Sequence, residues 1–389
     1  MSPRARSTAL IAAALLLQSC DSNGATGPGN GGLPFATVRG TLDAGNYWTC
    51  AVRSAGAAVC AGQNGSGTLG DGSTTERLTP VALSGSIAFR SISGGTSFTC
   101  GLSTAGAAYC WGQNYEGKLG DGTTTDRLVP TPVSGGHFFT TVTAGFNSAC
   151  ALDTAKAAWC WGEGALGGDA DDRSMVPVAV SGGRTYIAIA SPDGDESYHA
   201  CALADGGAAW CWGDAGSGQL GNGGVVPSSV PVAVSGGHLF KDIGTSDAHA
   251  CGLTTGGDVW CWGWNHMGQL GDGTVENRST PVQVGGGRKF AALFVGEYVN
   301  CGVTSAGAAW CWGDNRGGRL GAGLPDDYYA APKLVSGGHT FVVITIGWNF
   351  ACGRTSGAQV YCWGSNSNGQ FGNGSTTSST LPTLASSWY

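Results

Sequence analysis

The chain has 389 residues, 70 of them glycine, with 12% charged residues and a formal charge of −7 at neutral pH. A surface of that sign repels phosphate backbones, which disfavours nucleic acid, and no nucleic-acid partner is expected. Abundant glycine, short β-branched runs at regular spacing and almost no helix signals predict an all-β protein.

Residues 1–20 read as an export signal. Arg4 and Arg6 form the basic region, Ala9 to Leu17 the apolar core, and Leu17-Gln18-Ser19-Cys20 the processing site. The apolar core is too short to span a bilayer. The last four residues resemble a bacterial lipobox, which predicts lipidation at Cys20 and a protein of the bacterial cell envelope, outside the cytoplasm and held to a membrane only by that lipid. The alternative is an ordinary cleaved signal that leaves a thiol. Residues 21–32, DSNGATGPGNGG, form a flexible glycine-rich tether.

From residue 33 to 389 the sequence repeats. Cysteines pair off as Cys50 with Cys60, Cys100 with Cys110, Cys150 with Cys160, Cys201 with Cys211, Cys251 with Cys261, Cys301 with Cys311 and Cys352 with Cys362, and the odd fifteenth is Cys20. Each pair is spaced by ten, and successive pairs start 50 or 51 residues apart. Seven units of this period must share their apolar faces with neighbours. One unit comprises a PVxV strand, a Ser-Gly-Gly turn, an FxxIxAG strand, a link, a CAL strand, a tight turn, an AAWCWG strand and a long GQLGDG loop. Four short strands taken seven times predict a seven-bladed β-propeller of four-stranded blades.

Within the unit, Pro231 to His238 reads as a first hairpin whose Gly236-Gly237 supplies positive φ. In a second hairpin, alternation puts Cys251 with Leu253 on one face, and Trp260 with Trp262 on one face of the return strand. The first unit has an FxxIxAG equivalent at Arg39 to Gly45 but no room before it for a PVxV strand. Leu381 to Ala385 resembles the absent strand. The C-terminal strand is therefore expected to close the ring by joining the first blade, which removes an exposed edge.

Cysteines at i and i+10 around a tight turn face each other across an antiparallel hairpin, within reach of a disulfide. Zinc is the rival reading, but zinc sites want two to four residues between ligands and four ligands converging. Reduced core cysteines are the third reading, and export weighs against them. Seven disulfides, one in each blade, are expected.

The run Trp111-Gly112-Gln113-Asn114-Tyr115-Glu116-Gly117-Lys118-Leu119-Gly120-Asp121-Gly122 and its equivalent from Trp262 to Gly273 resemble the regulator of chromosome condensation repeat family. Asp314 to Gly323 and Ser365 to Gly374 follow closely, Ala61 replaces the tryptophan of the first unit, and Glu163 to Asp172 departs from the pattern. A kelch-type propeller has a similar period but fits the Trp-Gly and Gly-Gln-Leu-Gly segments less well. The resemblance implies a seven-bladed propeller acting as an interaction platform. The family's founding member exchanges nucleotide on a small GTPase and docks on nucleosomes, a role that export of this chain disfavours.

No nucleophile, base and orienting group stand out as a set, so no catalysis, cofactor or metal is expected. His137, His238 and His339 share one repeated place after Ser-Gly-Gly, His199 and His249 share another two residues before a cysteine, and His266 stands alone in a loop. The acidic stretches Asp169, Asp171, Asp172 and Asp193, Asp195, Glu196 could bind calcium, or simply be solvated turns. The links ahead of each first cysteine vary most. By the resemblance they lie on one rim, where they gather Tyr47, Phe146, Tyr198, Tyr298 and Trp348 with Asp247 and Glu297. Aromatics with a few charges suit a protein interface. The competing reading is that some link aromatics, notably Trp48, Phe98 and Phe350, point inward between blades. The expectation is a monomer that binds a protein partner through this rim, with a carbohydrate or peptidoglycan ligand as the alternative.

Overall fold

The computed structural model describes residues 41–168, 173–191, 199–385 and 388–389. Those residues form seven antiparallel sheets of four strands each, taken in chain order around a ring. Blade 5 is representative. Its strands are Phe240–Ser246, His249–Thr254, Val259–Gly263 and Arg278–Gln283, each paired with the next. Alternation explains which side chains meet. Cys251 stands opposite Cys261, Gly252 opposite Trp260 and Ala250 opposite Trp262, so the tryptophans share one sheet face and the cysteines the other. The Phe240 ring lies so close over Gly252 that a β-carbon there would fall 2.5 Å from it, and a phenylalanine crowds the equivalent glycine in three other blades, Gly101, Gly302 and Gly353, while the remaining three carry alanine.

All seven expected disulfides are present, one in each blade. Cys50 bonds to Cys60, Cys100 to Cys110, Cys150 to Cys160 and Cys201 to Cys211. Cys251 bonds to Cys261, Cys301 to Cys311 and Cys352 to Cys362. Their Cα atoms are 4.0–4.1 Å apart. Each pair stands directly opposite across its second hairpin, where the narrow pairs of an antiparallel ladder bring side chains closest. The cysteines are buried, as are the inward aromatics Trp48, Phe98 and Phe350.

Two expectations about the phase of the repeat are corrected. The Ser-Gly-Gly stretch is not a hairpin turn. Ser228–Ala233 pairs within blade 4, and the strand that follows Gly236-Gly237 begins blade 5. Both glycines do have positive φ, +91° and +64°, because the chain reverses sharply wherever it crosses between blades. The PVxV strand is thus the last of a blade, and the first blade lacks nothing: its four strands are Leu42–Ala44, Trp48–Val52, Ala58–Gly62 and Arg77–Ala82. Ser379–Ala385 likewise completes blade 7 instead of pairing into blade 1.

Closure at the C-terminal end of the ring is nonetheless real, and hydrogen bonds between blades 7 and 1 carry it. Thr345 donates to Asp43 at 2.9 Å, the Trp348 amide to the Asn46 carbonyl at 3.2 Å, and Thr49 to the Gln370 carbonyl at 2.8 Å. The other blades lock by a common device. The tryptophan of each Trp-Gly pair reaches into the preceding blade's loop and donates its indole N–H to a carbonyl there, as Trp262 does to Gln219 at 2.9 Å. The loop is held in shape by its asparagine: Asn265 Oδ1 accepts from the Leu270 amide while its Nδ2 donates to the Thr274 and Glu276 carbonyls.

Candidate functional site: an aromatic arc on the loop face

Strands within a blade are antiparallel, so the link between the first and second strands lies at the same end as the long loop between the third and fourth. The variable links and the Gly-rich loops therefore form one face of the ring.

On this face the structure brings three of the candidate aromatics into one arc and adds two residues from the loops. Tyr47 of blade 1 and Trp348 of blade 7 meet edge to face, ring centres 5.2 Å apart, across the seam. Tyr298 of blade 6 meets Trp264 of blade 5 in the same way at 5.7 Å, and His266 lies 5.4 Å beyond Trp264. Tyr47, Trp264, Tyr298 and Trp348 are half-buried, and His266 is exposed. Such edge contacts hold the rings in place, which lowers the ordering cost of binding to them.

Of the charged candidates, Glu297 serves the base of the arc. Glu297 is buried beside Arg319, whose guanidinium it favours along with Asp314. Burial outweighs both and holds Arg319 below the usual arginine range. Arg319 donates to Asn349 at 2.6 Å and lies 3.2 Å from Asp314, which Arg316 also grips at 2.7 Å. Asp247 sits at a tight link with φ +26°. Phe146 does not join the arc. It belongs to blade 3, where its carbonyl faces the Lys118 ammonium at 3.5 Å. Lys118 is buried, which pushes it down to about 8, and it donates to Ser97, Gln113 and Asn147. Tyr198, Cys20 and the six acidic residues proposed for calcium lie outside the described residues.

Trp264, Lys118 and Arg319 are the residues that sequence reasoning passed over. Each breaks a repeat position: Trp264 stands where other units have Gln63, Gln113, Asp214 or Ser365, and Lys118 and Arg319 stand where others have Gln219, Gln269 or Gln370. Comparison of units position by position would have found them.

The opposite face carries its own repeated chemistry. His238 stacks on Trp260 at 3.9 Å and His339 on Tyr361 at 3.8 Å, while Arg184 and Arg288 cover Trp210 and Trp310 at 3.7 and 3.6 Å. In these blades the residue after the Gly-Gly pair is therefore a lid on the outer aromatic of its blade, worth about 0.5–2 kcal/mol where it is a cation.

The regulator of chromosome condensation (RCC1) repeat matches as two family models. One covers residues 89–118, 197–219, 240–269 and 341–370, the other 105–152, 256–303 and 358–387, together just over half of the chain. Among curated protein sequences none matches. Solved structures similar to the chain include one of Kap60 bound to yeast RCC1 (Prp20), with TM-score 0.76 and 16% identity over 97% of this chain and 91% of that one. Prp20p from Saccharomyces cerevisiae, described with its binding to Gsp1p and histones, gives 0.76 and 18% over 91% and 90%. Human WBSCR16 gives 0.75 and 19% over 84% and 92%. Repeat models, blade count and strand order agree, and this chain belongs to the regulator of chromosome condensation repeat family.

Proposed function

We propose that this protein is an exported, membrane-anchored interaction platform that binds a protein partner through the loop face of its propeller. The observation that carries this reading is the arc of Trp264, Tyr298, Trp348 and Tyr47, which spans the four successive blades 5, 6, 7 and 1. Half-buried aromatics held by one another are the anchors that interfaces use. The solved relatives support a binding role, since Prp20 is described bound to Kap60 and by its binding to Gsp1p and histones. Seven buried disulfides favour an oxidising compartment, in keeping with the lipobox at Cys20. That placement argues against exchange activity on a cytosolic GTPase.

The test is site-specific photo-crosslinking in intact cell envelopes. A crosslinker replacing Trp348 or Trp264 should capture one defined partner, and the same group at Phe138, at the opposite end of the strands, should not. Equal capture from both faces, or loss of none of the partner in Trp264→Ala and Trp348→Ala, would refute the assignment.

A further inference from the structure

Six blades fill the gap to the preceding blade with the tryptophan of their Trp-Gly pair: Trp111, Trp161, Trp212, Trp262, Trp312 and Trp363. All six are fully buried. Each donates its indole N–H to a loop carbonyl at 2.9–3.0 Å and lies against a positive-φ glycine, as Trp312 lies against Gly271. Blade 1 breaks the rule, because its residue at that position is Ala61, fully buried.

The loop of blade 7 is built to receive an indole all the same. Gly372 has φ +66°, like Gly271, and a β-carbon there would fall 2.6 Å from the ring of Trp388. Trp388 is 1% exposed, donates to the Phe371 carbonyl at 3.0 Å, and shares one buried cluster with Ala51, Val59, Ala61 and Phe371. Its backbone is tied to the first blade. Arg53 donates to the Trp388 carbonyl at 3.0 Å, and the Tyr389 hydroxyl donates to the Thr41 carbonyl at 2.9 Å.

We propose that the seam between blades 7 and 1 is an indole-binding slot whose ligand is the chain's own Trp388. The missing tryptophan of blade 1 leaves a cavity with apolar walls and one carbonyl acceptor. An indole fits it by shape and by its single N–H donor, and Trp388 supplies that indole from outside the repeat. The latch closes the ring without a blade shared between the two ends. A slot of this kind, emptied by substitution, takes up free indole from solution as other apolar cavities take up small aromatics.

The experiment uses the full oxidised protein and its thermal midpoint, with and without millimolar indole. Trp388→Ala should lower the midpoint by several degrees. Free indole should recover part of that loss by mass action and leave the unsubstituted protein unchanged. Ala61→Trp should rescue the Trp388→Ala protein by restoring the rule of the other blades. In the otherwise unsubstituted chain, Ala61→Trp should lower the midpoint, because two indoles then compete for one slot. An unchanged midpoint in Trp388→Ala, or a loss that neither indole nor Ala61→Trp recovers, overturns the proposal. Should Trp388→Ala fail to fold, the double variant decides: a folded double variant supports the latch, and a second failure removes it.

Discussion

Acid should unfold this protein through two histidines. His199 and His249 begin the second strands of blades 4 and 5, and both are completely buried. Burial pushes His199 down to about 3 and His249 to about 4. His249 adds to the fall at His199, whereas the hydrogen bond from Asn300 opposes the fall at His249. In the unfolded chain both return to about 6.5. The folded form therefore binds fewer protons, and the stability held with neutral rings above pH 6.5 is lost as pH falls through the window from 6.5 towards 4 and 3. Between pH 7 and 5 each ring costs about 2 kcal/mol, or about 4 kcal/mol for the two. Denaturant titrations at pH 7, 6 and 5 with the disulfides intact measure this loss. His199→Phe with His249→Phe uses the residue that Phe98 and Phe350 already place at this position, and should remove about 4 kcal/mol of the pH dependence. An identical slope in parent and double variant would refute the argument.

Lys118 predicts a trend of the same sign at high pH. Its folded value near 8 lies below that of the unfolded chain, so the parent should gain stability as pH rises from about 8 towards 10.5. Lys118→Gln, the residue of three sibling units, should be more stable by about 1–2 kcal/mol at pH 7 and lack that gain, as denaturant melts at pH 7 and 9.5 would show. Removing one blade's bridge by Cys251→Ala with Cys261→Ala should cost about 2–3 kcal/mol, since the loop it closes is short. The same titration at pH 7 reads the difference, and non-reducing mass mapping should return the other six bridges unchanged.

The regular features were legible because they are local. A cysteine ten residues after another, around a tight turn, can hardly avoid facing it, so the bridges from Cys50 to Cys60 through Cys352 to Cys362 followed from spacing alone. The alternation of Trp260 with Trp262 followed from the pleat. The phase of the blade was not legible. The PVxV strand precedes Ser-Gly-Gly in the same way whether the two flanking strands pair or part, and positive φ at Gly236-Gly237 serves either geometry. The aromatic rim was partly legible: Tyr47, Tyr298 and Trp348 lie where the variable links placed them, while Phe146 faces Lys118 in another blade. Trp264 was visible only as a departure from its siblings.

By itself the sequence determined that seven alike sheets form, each with its own disulfide, because period, alternation and turn chemistry act within about fifty residues. Only the tertiary structure decided how the sheets meet. The gap left by Ala61, its filling by Trp388, and the meeting of Tyr47 with Trp348 join residues some 300 positions apart. No local pattern encodes such contacts, since they exist only once the ring has brought its two ends together.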